Sequence, residues 1–232
     1  METREKKVKI TWFGHAGFKI EAENKIILID PWLTENPVAT IKEADITQAD
    51  IILVTHDHFD HLGDAIEIAK KTGATLIAVY ELHKYIEAQG VKNTVGMNIG
   101  ATIEVKEVKI TMTLALHSCR RGAPAGYIVN LGGVKIYHTG DTCLFGDMKL
   151  IGKIYKPSIV LIPIGSLYTM GPEEAAYATK LINPKIVIPM HYGTFPVINQ
   201  DPEDFKKLVL NKKRKINVII LKPGQTYEYK KN

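Results

Sequence analysis

Apolar and polar positions alternate with a period of two through most of the first thirty residues. KVKITWF, GFKIEA and KIILID are separated by turn signals at Gly14–Gly17 and at Glu23–Asn24, which predicts a three-stranded meander ended by Asp30-Pro31. Residues 34–50 lack a period and read as a loop with a short turn of helix. IILVT (51–55) is a continuous apolar run, as expected of a strand buried on both faces. DAIEIAKKTG then spaces Ala65, Ile66 and Ala69 as a helix does and stops at Gly73. ATLIAVY predicts another buried strand and ELHKYIEAQG a second helix. From Gly100 to Tyr137 strands return as TIEVKEVKITMTLAL, AGYIVNL and GVKIYHT, with a hairpin signal at Gly132–Gly133. Beyond them DMKLIGKIY, GPEEAAYATKLI and DPEDFKKLVL read as helices. SIVLIPI and KIVIPM read as buried strands, and NVIIL and QTYEYK as closing strands.

Meander, alternation, meander and alternation again predict a single domain of two similar αβ halves, roughly 1–120 and 121–232. Two mixed β-sheets packed face to face, with helices on the outer faces, would bury both kinds of strand. The expected fold class is therefore α+β, a four-layer αββα sandwich. In such a fold the loops at strand ends carry the chemistry.

Composition narrows the partners. At 232 residues and 45% hydrophobic, the chain can bury a sizeable core. The longest apolar runs, such as Ile159–Ile164, are far too short to span a bilayer, so no membrane partner is expected. METREKKVKITWF lacks the apolar region of a signal peptide, and the protein is read as cytoplasmic. The net charge of +5 gathers in NKKRK (211–215) and the terminal YKKN. That excess leaves RNA or DNA open as a partner, although a solvated lysine-rich surface is the simpler account. Two cysteines, Cys119 and Cys143, imply no disulfide framework.

The buried run IILVT ends at His56-Asp57-His58-Phe59-Asp60-His61, three of the eight histidines beside two carboxylates. Imidazole nitrogen and carboxylate oxygen suit zinc and its neighbours, with bonds of about 2.0–2.2 Å. Residues two apart in an extended loop point the same way, so His56 and His58 can share one ion. Asp60 and His61 turn at the entry to the next helix and face a second position. These four cannot complete two sites, so the remaining ligands belong at other strand ends. His117 follows KITMTLAL, Asp141 follows KIYHTG, and His191 follows KIVIPM. Each alone has a plain structural explanation, a backbone-bonded histidine or an Asx turn; together they complete a ligand set.

HDHFDH, the separate His117, TGD at 139–141 and the late His191 resemble the ordered motifs of the metallo-β-lactamase superfamily. IDPWL, THDHFDHLGDA, YHTGDTCLFGDMKLI, PIG…TMGPEEAA and IPMHYGTFP are similar to a family of small metal-dependent hydrolases within it, over nearly the whole chain. In layout that family resembles ascorbate-phosphate lactonases and phospholipase-D-type phosphodiesterases. The resemblance implies that His56, His58 and His117 bind one metal and Asp60, His61 and His191 the other, with Asp141 bridging. GSLYTMG departs from the pattern, because an asparagine is usual near Leu167, which leaves open what this loop offers a substrate.

Two divalent ions about 3.5–4 Å apart hold a bridging water as hydroxide near neutral pH, ready to attack a carbonyl or phosphorus. Zinc is the first expectation; manganese, iron and nickel accept the same donors. Asp60 is expected to be catalytic as well as a ligand, orienting the hydroxide. Two dications, two carboxylates and one hydroxide leave a net charge of about +1, which favours a small anionic substrate. Around the metals, Asp30 is expected to hold the HxHxDH loop. His138 is the candidate for proton transfer, and His15 for lining the pocket. Arg120, with Arg121 beside it, is the candidate anchor for an anion, and Tyr168 and Tyr192 the candidate donors to an oxyanion. The expected function is a binuclear metal-dependent hydrolase acting on an ester, lactone or phosphodiester bond. A nuclease and a non-catalytic metal-binding module are the alternatives.

Overall fold

The structure is a computed structural model and describes residues 7–230. The opening meander forms as β1 (Lys7–Gly14), β2 (Gly17–Ala22) and β3 (Lys25–Ile29). β4 (Ile51–Leu53), β5 (Thr75–Val79) and β6 (Thr94–Met97) extend the sheet in parallel from β3. A second sheet contains β7 (Thr102–Val105), β8 (Val108–Leu114), β9 (Ala125–Leu131), β10 (Val134–His138), β11 (Ile159–Pro163), β12 (Ile186–Met190) and β13 (Asn217–Val218). The last strand, β14 (Thr226–Lys230), returns to the first sheet and pairs antiparallel with β1. Each sheet has seven strands, in the orders β14-β1-β2-β3-β4-β5-β6 and β13-β12-β11-β10-β9-β8-β7.

Helices α1 (Phe59–Leu62), α2 (Ala65–Thr72) and α3 (Tyr80–Ala88) belong to the first half of the chain. In the second half, α4 (Met148–Tyr155), α5 (Pro172–Ile182) and α6 (Pro202–Lys212) pack on the second sheet. The apolar runs split their side chains between two cores. Ile159 and Leu161 of β11, with Ile186 and Ile188 of β12, enter the large core that also holds Ile10, Phe18 and Ile27 of the first sheet. Val160, Ile162 and Val187 point the other way, against Ala175, Ala178 and Phe205 of α5 and α6. Strands with both faces covered need no polar face, which is why their sequences do not alternate.

Three elements differ from the sequence reading. TIEVKEVKITMTLAL is a hairpin rather than one strand: Lys106 and Glu107 turn at φ +48° and +66°. Such a turn usually carries Gly, Asn or Asp, so Lys-Glu gives no signal. β6 went unpredicted because TVGM is short and interrupted by glycine. NVIIL pairs only over Asn217–Val218. The chain crosses between the sheets at 98–101, and β14 crosses back.

Strand direction positions the chemistry. β1, β3 and β4 run one way in the first sheet, because β2 is antiparallel to both its neighbours and β4 is parallel to β3. β8, β10, β11 and β12 likewise share a direction in the second sheet. The carboxyl ends of such strands are where open sheets gather ligands.

Candidate metal centre

Every expected metal ligand follows one of these strand ends. Several ends turn sharply on a residue with positive φ: His15 after β1 (+54°), Asp30 after β3 (+45°), Gly140 after β10 (+64°) and His191 after β12 (+57°). Only glycine adopts such a conformation at no steric cost, so three strained non-glycine turns in one place mark a site fixed by its surroundings. At Gly140 a side chain is also barred by space, because a Cβ would run into the Ala125 carbonyl.

The turns bring the donors together around Asp141. Its Oδ2 lies 3.2 Å from His61 Nε2, 2.9 Å from His191 Nε2 and 3.6 Å from His117 Nε2. His56 Nε2 and His58 Nδ1 approach to 2.9 Å. Three overlapping groups have donor atoms close enough for one ion: His56, His58 and His117; His15, Asp60, His61 and His191; and His56, His61 and Asp141. The two triads implied by the resemblance are therefore each convergent, with Asp141 between them, and His15 joins the second.

Hydrogen bonds behind the donors set which ring nitrogen faces the centre. Thr55 donates its N–H (2.8 Å) and its hydroxyl (2.6 Å) to the Asp30 carboxylate. Its oxygen is then free to accept from His56 Nδ1 at 3.0 Å, which leaves His56 Nε2 with a lone pair. His61 Nδ1 donates to Asp30 Oδ2 at 2.7 Å, so His61 Nε2 is also a lone-pair donor. Asp30 thus holds the HxHxDH loop through three hydrogen bonds. His61 Nε2 and Asp141 Oδ1 are buried and make no hydrogen bond. Buried polar atoms are rarely left this way, and a cation would satisfy both.

The electrostatics agree. Burial disfavours a charged imidazole at His61, yet the Asp141 and Asp30 carboxylates raise its pKa well above the usual histidine value. Their field at Nε2 calls for positive charge, which a dication would supply. Burial would raise Asp141, but His191 and His61 hold it well below the usual carboxylate range. Burial, then His61, lowers His56 well below its ordinary value, and burial lowers His117. Neutral imidazoles and ionised carboxylates are the forms a metal binds. The residues fit the group.

His15 sits behind Asp60 rather than lining the cavity. Burial, then His191, lowers its pKa to about 4, so the ring is neutral. Nε2 contacts Asp60 Oδ2 at 3.0 Å and Nδ1 contacts Thr194 Oγ1 at 2.6 Å. The consistent assignment is Nε2–H donating to the carboxylate and Nδ1 accepting from Thr194. Burial would raise Asp60, but this bond and His61 keep its pKa far below the usual range.

Several expectations are corrected. His138 is fully buried, its Nδ1 accepting from Gly140 N–H (3.1 Å) and its Nε2 donating to the Ala16 carbonyl (2.9 Å). Both nitrogens are committed to backbone, so it shapes the TGD turn and has none free for proton transfer. Arg120 and Arg121 do not line the cavity. Arg120 N–H and the Arg121 guanidinium both donate to Asp57, each at 2.8 Å, clipping the 117–122 loop to the histidine loop. Tyr192 stacks on Trp12 at 5.3 Å and burial pushes its hydroxyl up to about 12. Tyr168 does line the cavity, half exposed. Cys119 and Cys143 are both free and belong to none of the convergent groups.

Above the donors opens a cavity of about 600 Å³, whose other walls include Phe59, Ser118, Phe195 and Val197. These four, with Thr55 and Thr194, were not singled out from the sequence. Thr55 directly precedes His56 at a strand end, a signal that was available. Phe59 lies inside the histidine run, at the start of α1, where nothing in the sequence shows that its ring faces the cavity; Ser118, Thr194, Phe195 and Val197 sit in segments without a period.

A sequence model described as the beta-lactamase superfamily domain matches residues 9–191. The chain belongs to that superfamily. Among its relatives, a UPF0173 metal-dependent hydrolase from Methanopyrus kandleri is 51% identical, over 95% of this chain and all of the relative. Another from Caldivirga maquilingensis is 50% identical over 93% and 95% of the two chains. Within the superfamily, the chain is thus a member of these metal-dependent hydrolases. The solved structure of Igni18, a metallo hydrolase from the hyperthermophilic archaeon Ignicoccus hospitalis, superposes with a TM-score of 0.92 at 39% identity. That match covers 97% of this chain and all of the other. No helix among the described residues is long and apolar enough to cross a membrane.

Proposed function

We propose that this hydrolase is binuclear and cleaves a carboxylic ester, lactone or phosphodiester bond. The observation that carries the reading is the meeting of two donor triads on the two sides of Asp141. His56, His58 and His117 would hold one ion and Asp60, His61 and His191 the other; zinc is the first choice, with manganese, iron or nickel accepted by the same donors. A bound pair of dications supplies hydroxide near neutral pH and polarises the substrate oxygen.

The chain's own residues do the positioning. Asp60, kept ionised by the His15 hydrogen bond, accepts a hydrogen bond from the attacking water and sets its direction. Asp30 and Thr55 hold His56 and His61 in the tautomer that presents Nε2. Tyr168 is the tyrosine among the described residues that line the cavity, and its hydroxyl would donate toward the cleaved group. Water adds across the bond, giving acid and alcohol from an ester, a hydroxy acid from a lactone, or a monoester and alcohol from a phosphodiester. The net charge of about +1 on the loaded site draws a negative group on the substrate toward it. Among the described residues no lysine or arginine lines the cavity, which speaks for a small molecule over RNA or DNA.

Metal analysis of untagged protein, followed by assays on p-nitrophenyl esters, simple lactones and bis-p-nitrophenyl phosphate, tests the reading. We expect two metals per chain and turnover of at least one bond class. Equal rates from the wild type and His58→Ala would rule out catalysis at this centre.

A further inference from the structure

Around the metal donors, the cavity is walled by side chains that neither the ligand set nor the chemistry requires. Phe59 stands between the ligands His58 and Asp60 and is 67% exposed. Its ring packs edge-on to the buried Trp32 at 5.6 Å, and Phe195 stacks on the same indole at 5.8 Å. Phe59 and Phe195 lie 6.3 Å apart, so the three rings form one aromatic wall resting on the core. Tyr168 and Val197, 55% and 54% exposed, add further apolar surface to the cavity.

The polar inventory of the cavity is correspondingly short. Beyond the metal donors it contains, among the described residues, Ser118 and the Tyr168 hydroxyl, and no lysine or arginine. Scattered exposed apolar side chains are ordinary on a protein surface, but several facing one concavity over a charged floor are not. Pockets for small molecules have this composition, apolar walls and a few convergent polar groups. A second charge on the substrate, or a row of hydroxyls, would find no partner on these walls and would lose its hydration.

We propose that the substrate is amphiphilic: its scissile group sits on the metal donors and the rest is an aromatic or medium-chain alkyl body packed on Phe59, Phe195, Tyr168 and Val197. This rests on the hydrolase reading above and narrows its substrate class. It sets sugar phosphates aside, since they are polar throughout, and polynucleotides, since their backbone phosphates would find no lysine or arginine among the described residues that line the cavity.

Two measurements on the metal-loaded full-length protein test it. In the first, acetate to octanoate are titrated as straight-chain carboxylates while intrinsic tryptophan fluorescence, from Trp12 and Trp32, is followed; this reads binding without turnover. Each methylene that leaves water tightens binding up to about fourfold, so octanoate should bind at least about 30-fold more tightly than acetate. Phe195→Ser and Val197→Ser should each cut that ratio by a factor of about three or more, the cost of removing part of the wall. In the second, p-nitrophenyl esters of the same acids are hydrolysed, and kcat/KM should climb with chain length chiefly through KM. Equal affinity for acetate and octanoate, or an unchanged ratio in both variants, overturns the proposal. Chain-length-dependent binding without turnover of any ester, lactone or phosphodiester would instead overturn the hydrolase reading and leave the apolar site standing.

Discussion

The candidate metal donors reach the centre from two sheets by two different constructions. The first sheet delivers His56, His58, Asp60 and His61 in one short run, braced by side chains: Asp30 takes hydrogen bonds from Thr55 and His61, and Thr55 accepts from His56. The second sheet delivers His117, Asp141 and His191 singly, from β8, β10 and β12. Asp141 and His191 are held by sharp backbone turns, with the φ of Gly140 at +64° and of His191 at +57°. One side is a hydrogen-bonded cluster that can fail a bond at a time. The other is a set of backbone geometries, each of which holds or does not.

The difference is sharpest at Asp141, the point where the two sides touch. Asp141→Ala removes the carboxylate nearest to His61, His191 and His117 at once. We expect metal content to fall from two ions to fewer than one and turnover to drop on the order of 10³-fold or more, read by metal analysis and steady-state kinetics. Retention of both ions would show that Asp141 is a neighbour of the donors and not their bridge. Gly140→Ala comes next and probes backbone alone. The new Cβ meets the Ala125 carbonyl in a residue with positive φ, so unfolding should become easier by about 3 kcal/mol. A melting temperature within about 1 °C of wild type would contradict a backbone-built second side.

The same contrast explains what could be read from the residues. HxHxDH after a buried strand is a dense local signal, and the three single candidate ligands became visible once each was seen to follow an apolar run. Periodicity also carried the layers, since strands such as SIVLIPI and KIVIPM are apolar throughout only because both faces are covered. Where the reading failed, the deciding contact was distant or the turn unmarked. His138 precedes TGD and looked available, but the Ala16 carbonyl that occupies its Nε2 comes from the far end of the chain. Arg120 and Arg121 followed a candidate ligand and looked like an anion anchor, yet Asp57 takes the Arg121 guanidinium and the Arg120 backbone N–H, and neither arginine lines the cavity. The Lys106–Glu107 turn used residues that favour no such turn. Phe195 and Val197 lie in a loop without a period, and only the folded chain shows them facing the donors.

The bracing side should respond in smaller steps. Asp30→Asn keeps the shape but replaces an ionised acceptor with an amide that must offer one oxygen to Thr55 and His61 together. A loss of about 1–3 kcal/mol in stability is expected, with metal affinity weakened about 10- to 100-fold. Chemical denaturation and competition with a chelator read the two effects separately, and a stability loss without the affinity loss would mean that Asp30 braces the fold and not the ligands.

Thr194→Val is the mildest change. It leaves every donor in place and removes only the hydroxyl that bonds His15 Nδ1 at 2.6 Å. The His15 ring is then free to take the other tautomer, with its proton on Nδ1 and a lone pair at Nε2 facing Asp60. The hydrogen bond that keeps Asp60 ionised and aimed would weaken, so kcat should fall by about three- to tenfold, in line with the 1 ± 0.5 kcal/mol of a typical hydrogen bond. KM and metal content should hold, because neither the cavity walls nor the donor set has changed. Thr194→Ser, which restores a hydroxyl, should recover most of the rate. If Thr194→Val lost metal instead, His15 would belong with Asp30 among the residues that hold a ligand, and the bracing would extend across both sides of the centre.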